Sequence, residues 1–176
     1  MRTMQFTVIS VVYIVILAAQ LLISRNIDDP TSFIFFINNL ILTFHLWWGS
    51  FYFLNYLKPV KDILDYFLFL PLFFLLFANI FLIEKPHLWF LAYGLIFSFA
   101  IITYKISEKR IKNPKLLAYI ENKVKFESPA IILFFVGSFA AYIFSNLNLF
   151  FGAITMLFQI AFIIFLVKKK VYRLNT

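Results

Sequence analysis

Residues 32–57 read SFIFFINNLILTFHLWWGSFYFLNYL. No Asp, Glu, Lys or Arg interrupts the run, and it exceeds the ~20 residues a helix needs to cross the hydrocarbon core of a bilayer. The rest of the chain has the same character. Of 176 residues, 63% are hydrophobic, 22% aromatic (26 of them Phe) and 14% charged, and the mean hydropathy is +0.91. A soluble domain of this size cannot hide that much apolar surface, so a soluble globule, a disordered chain and a disulfide scaffold are excluded.

Five further apolar runs lie near 5–24, 66–83, 88–104, 130–144 and 149–167. The expected fold is all-α, a polytopic transmembrane helix bundle of six spans, with 1–176 forming a single integral membrane domain. Arg2 precedes the first run as in a secretory leader. The run is long and lacks a small-x-small pair before a polar start, so it reads as a span.

Proline positions agree with these boundaries, since Pro suits a first turn and damages a helix interior. Asp29-Pro30, Lys85-Pro86 and Ser128-Pro129 precede the second, fourth and fifth spans, with Ser128 the expected cap of the fifth. Pro71 alone falls inside a span and is expected to kink the third.

The basic residues set the orientation. With the N-terminus inside, 14 of the 16 Lys and Arg fall in inner segments, and only Arg25 and Lys85 fall outside. That asymmetry places both termini in the cytoplasm, and the expected location is a prokaryotic plasma membrane. The net charge of +8 is thereby explained as topogenic. No nucleic-acid-binding module accompanies it.

The second span is the most polar. At 100° per residue, Asn38, His45, Gly49 and Tyr52 share one stripe, which must face other helices or a wet cavity. Together with Gln159 in the sixth span, they are the candidate ligand or permeation path. The competing reading is interhelical hydrogen bonding. His45 is the only ionisable group expected deep in the bilayer, with no carboxylate at its depth to support a proton relay. It is therefore expected to be neutral.

The segment 105–129 reads as a basic cytoplasmic loop. After Asn113-Pro114, Leu116, Leu117, Ile120 and Val124 recur at helical spacing, and Glu121 and Lys125 form an i,i+4 pair on the other side. This describes a short amphipathic helix lying on the inner membrane surface. Lys109, Arg110, Lys112, Lys115, Lys123 and Lys125, with Lys168, Lys169 and Lys170, would contact anionic headgroups or a cytoplasmic partner. Gly94 and Ser98, and Gly137 and Ala141, are four apart and mark faces along which the fourth and fifth spans should pack.

No cofactor or metal site is expected. The chain has no Cys and two His, and no hydrolase, zincin, P-loop or dinucleotide signature occurs. The paired Asp62 and Asp65 suit the positive end of a helix better than catalysis. The expected function is a non-catalytic membrane subunit that forms a homo-oligomer, or that anchors and senses for a cytoplasmic protein through its basic inner face. The alternative is a small permease, channel-forming subunit or substrate-capturing transport component.

Overall fold

The structure, a computed structural model, describes residues 2–23, 27–57, 70–109 and 111–168. Within these residues it is all helical, without strands. The helices are α1 (Arg2–Ile23), α2 (Pro30–Leu57), α3 (Leu70–Ala78), α4 (Pro86–Glu108), α5 (Pro114–Ile143) and α6 (Asn148–Lys168). Short 3-10 turns follow α3 (Asn79–Leu82) and precede α6 (Ser145–Leu147). Among the described residues four segments are long and apolar enough to cross a membrane: Pro30–Gly49, Pro86–Glu108, Leu117–Ile143 and Ser145–Lys168. The kink expected at Pro71 involves turns that lie outside the described residues, as do Asp62 and Asp65.

Local chemistry starts the helices. Asp29 caps α2: its Oδ2 accepts from the backbone N–H of Ser32 at 2.7 Å and from the Ser32 hydroxyl at 3.0 Å. Pro30 then sits where a missing N–H costs nothing. Asn113 caps α5 in the same way, its Oδ1 accepting from Lys115 N at 2.9 Å, with Pro114 at the first helical position.

Packing centres on α4. Trp89, Tyr93, Phe97, Ala100, Thr103 and Ser107 recur every three or four residues and are buried, which is the period of one helix face. Trp89 stacks on Tyr93 with ring centroids 3.8 Å apart, and Phe35 of α2 meets Trp89 edge-on at 4.7 Å. Phe97 stacks on Phe134 of α5 at 5.5 Å. Such close aromatic contact supplies cohesion between the helices.

The α4–α5 contact uses glycine as a notch for a ring. Phe135 lies where a Cβ on Gly94 would approach it to 3.1 Å, and Phe90 lies 3.0 Å from where a Cβ on Gly137 would be. Ala141 is buried on the same face of α5. Ser138 Oγ donates to His87 O at 2.7 Å, and Ser98 Oγ turns back onto Gly94 O of its own helix.

The largest departure from the sequence reading is in α5. A surface helix ending at Ser128-Pro129 and a separate fifth span were expected, but one helix runs through Pro129. Ser128 caps nothing: its hydroxyl donates to Val124 O at 2.6 Å. Pro129 lies on the exposed side, where the carbonyl it leaves without an N–H partner is not enclosed by other helices. The physical reason for continuity is the buried stripe Ile120, Lys123, Glu127, Ala130 and Phe134. Its spacing of three and four passes straight through the proline.

Candidate functional site

Two i,i+4 pairs face one another. His45 and Gly49 lie one turn apart on α2, and Lys123 and Glu127 lie one turn apart on α5. Glu127 stands opposite His45, with His45 Nε2 3.8 Å from Glu127 Oε1. Lys123 stands opposite Gly49, where an added Cβ would be 2.9 Å from Lys123 Nζ. The helices therefore run antiparallel at this level, and Gly49 makes room for an ammonium group.

Lys123 Nζ is 3.0 Å from Glu127 Oε1. That oxygen has no aligned hydrogen bond, so the contact is an ion pair set by distance rather than by direction. Nζ also lies 5.2 Å from the centroid of the Tyr104 ring, within cation–π range. The cluster is enclosed: Lys123 is 1% exposed, Glu127 2% and His45 6%. The His45 ring is stacked at 6.2 Å on Phe162 of α6 and lies 6.4 Å from Phe97.

Depth along the bundle follows from helix rise. His45 is 15 residues from Pro30, and Glu127 is 16 from Ile143, the helix ends on the same side. At 1.5 Å per residue both are roughly 22–24 Å from those ends. Three sequence expectations are corrected here. His45 has a carboxylate at its depth. Lys123 is not a lipid or partner contact, because it is enclosed between α5, α2 and α4. The region 105–129 is largely helix, and part of it belongs to a candidate span.

The remaining polar groups of α2 form a second layer. Asn39 Oδ1 accepts from Asn79 Nδ2 at 3.2 Å and from Trp89 Nε1 at 2.9 Å, while its Nδ2 donates to Asn79 O at 3.3 Å. Gln20 Nε2 of α1 donates to Thr43 Oγ1 at 2.8 Å. Asn38 Nδ2 donates to Ile34 O at 2.9 Å and to Gly152 O at 3.0 Å, and Tyr93 OH donates to Asn38 O at 2.7 Å. Asn38 therefore fastens α2 to α6 and α4. Gly152 permits that approach, since a Cβ there would stand 2.6 Å from Ile34 Cγ2.

The other candidate residues separate by position. Gln159 is buried, and its amide lies beside the Tyr93 hydroxyl without a bond of ordinary geometry. The Tyr52 side chain lies outside the described residues, as do Arg110, Lys169 and Lys170. Lys109, Lys112, Lys115, Lys125 and Lys168 are exposed. Among the described residues no group of three His, Cys, Asp or Glu could hold a metal ion. The sequence signal for the missed pair was the stripe Ile120–Lys123–Glu127–Ala130–Phe134, in which two charges occupy apolar register positions.

Comparison with family models, with curated proteins and with solved structures gave no match.

Proposed function

We propose that the chain is a small membrane transport component, a permease or channel-forming subunit, whose working site is the Lys123–Glu127–His45 cluster. One observation carries this reading: an ion pair with almost no exposed surface, on a helix long and apolar enough to span a membrane. Ionised groups in such a position are expensive, and paired ones facing a bundle interior mark substrate, ion or proton pathways. Helix fastening alone is met at lower cost by amides, as Asn39 and Asn38 do here.

In this reading all six apolar segments cross a prokaryotic plasma membrane, with both termini in the cytoplasm. The cluster then lies in the inner part of the core. The cavity beside His45 has a volume of about 20 Å³, too small for a solute, so this conformation is closed. Passage requires α2 and α6 to part from α5. The site performs no bond-breaking chemistry.

The test is flux into liposomes carrying the purified protein, across a panel of ions and small solutes, with and without a pH gradient. Wild type should pass at least one, and Glu127→Gln and Lys123→Met should slow it. Fluxes equal to those of empty liposomes across the panel, or unaffected by either substitution, would sink this reading.

A second reading has its own support in the exposed Lys109, Lys112, Lys115, Lys125 and Lys168. These would form a face for anionic headgroups or a cytoplasmic protein. The candidate spans in α5 and α6 are each only 22% buried, which leaves surface for a second copy as well as for lipid. Here the chain is a non-catalytic subunit, and reversing charge at Lys112 and Lys115 should release its partner during purification. Unchanged recovery of the partner would count against it.

A further inference from the structure

The Lys123 ammonium is cradled by three helices. Gly49 of α2 leaves the space it fills, since an added Cβ there would stand 2.9 Å from Nζ. The Tyr104 ring of α4 lies with its centroid 5.2 Å away. On α5 itself, Glu127 Oε1 is 3.0 Å from Nζ, and His45 Nε2 stands 3.8 Å from that same oxygen. Space, a π face and a counter-charge are what an enclosed ammonium group requires. A divalent metal ion wants several oxygen ligands, and among the described residues no three metal-ligating side chains converge. The cradle is therefore built for an ammonium head.

The two charges of the pair differ in how they can leave it. Side chains on a helix tilt toward its N-terminus, and at that end of α5 Lys112 and Lys115 are exposed. Lys123 is 9 residues from Pro114, roughly 13–14 Å by helix rise, and its long flexible stem shortens that gap. Glu127 lies one turn deeper on a shorter stem. The lysine can withdraw toward the basic end while the carboxylate stays in place. A second ammonium group entering the cradle then keeps Glu127 compensated. An anionic cargo would instead have to displace Glu127, which lacks that exit. We infer that the cradle is the site of a primary ammonium cargo, the ammonium ion or a small protonated primary amine, and that Lys123 is its built-in competitor, holding the site closed. This rests on the transport reading and names its substrate class.

The experiment empties the cradle and offers it a free amine. Lys123→Ala removes the atoms of one propylammonium ion. Propylammonium chloride should raise the Tm of that variant in detergent, saturably and by roughly 2–4 °C once well above its Kd. Sodium chloride and 1-propanol, matched in ionic strength or in size, should not. Lys123→Ala combined with Glu127→Leu should lose the response. In liposomes, Lys123→Ala should lower the half-saturating concentration for methylammonium uptake driven by a membrane potential, because the competitor is gone. Lys123→Met, which leaves an uncharged occupant, should slow that uptake. No rise in Tm, or an equal rise with 1-propanol or sodium chloride, would overturn the inference. If Lys123→Ala does not fold, wild-type liposomes decide: methylammonium uptake no faster than in empty liposomes overturns it. A specific Tm rise without any flux would keep the ammonium site and remove the transport reading. Flux of other solutes without the Tm rise would keep the transport reading and remove this cargo.

Discussion

The ammonium of Lys123 fills the notch that Gly49 leaves in α2: a Cβ on Gly49 would stand 2.9 Å from Nζ. A lysine end is normally free to swing aside, but this one is held by Glu127 and lies against Tyr104. Gly49→Ala should therefore push the ammonium off the carboxylate and destabilise the protein by about 1–3 kcal/mol. In a Lys123→Ala background the same change should be neutral or stabilising, since Ala is the better helix former. A double-mutant cycle by unfolding in detergent measures the coupling. Additive effects would show that Gly49 and Lys123 do not interact.

Lys123 and Glu127 neutralise one another where almost no surface is exposed. Lys123→Met leaves a buried carboxylate uncompensated and should cost about 3–5 kcal/mol. Lys123→Met combined with Glu127→Leu should recover most of that loss. Denaturant unfolding of the three variants tests it. A double variant weaker than either single one would contradict the mutual compensation.

Gly152 allows the close approach through which Asn38 reaches Gly152 O. Gly152→Ala meets Ile34 Cγ2 at 2.6 Å, and α6 must shift away from α2. A loss of about 1–3 kcal/mol is expected from overpacking. Gly137→Ala meets only a Phe90 ring edge at 3.0 Å, so its loss should be smaller. Ranking the two by thermal unfolding checks the assignment.

Asn39 joins α2 to the turn after α3 and to Trp89 of α4. Asn39→Leu leaves the Asn79 amide and the Trp89 N–H without these acceptors. The expected loss is about 1–2 kcal/mol, at the upper end for polar contacts in membrane bundles. An unchanged midpoint would remove the amide layer from the account of helix cohesion.

Asp29 predicts a pH effect outside the spans. The backbone N–H of Ser32 is the main cause that lowers its carboxyl pKa. Burial opposes it, and the Ser32 hydroxyl and the Thr31 backbone N–H add to the lowering. A folded pKa below the unfolded one means that the stabilisation is complete above the ordinary value of about 3.9. It is lost as pH falls through the lower folded value. Asp29→Asn should be less pH-sensitive over that acid window in thermal unfolding. An identical acid profile would remove the cap from the titration.

Much of this architecture is readable from residues. The uncharged run at 32–57 and the prolines at 30, 86 and 114 mark helices and their starts, because both signals are local. Composition likewise points to membrane-spanning helices without any contact being known. The Ser128-Pro129 boundary misleads because Pro129 falls on an exposed face, where a helix tolerates it. Lys123 and Glu127 were hidden for a different reason. Charge counts assign lysines to the inner surface one at a time, while burial is decided by register across Ile120, Ala130 and Phe134. The pairing of that register with His45 and Gly49 is a tertiary relationship, which no single helix reveals.

Lys123 is sealed inside the bundle, while Lys125, two residues away, is exposed. Amine labelling of the native, unmutated protein in mild detergent, read by peptide mass spectrometry, tests it directly. Lys112, Lys115 and Lys125 should react, and Lys123 should stay unmodified until the protein is unfolded. Labelling of Lys123 at the rate of Lys125 in the folded protein would contradict the buried ion pair and the site built upon it.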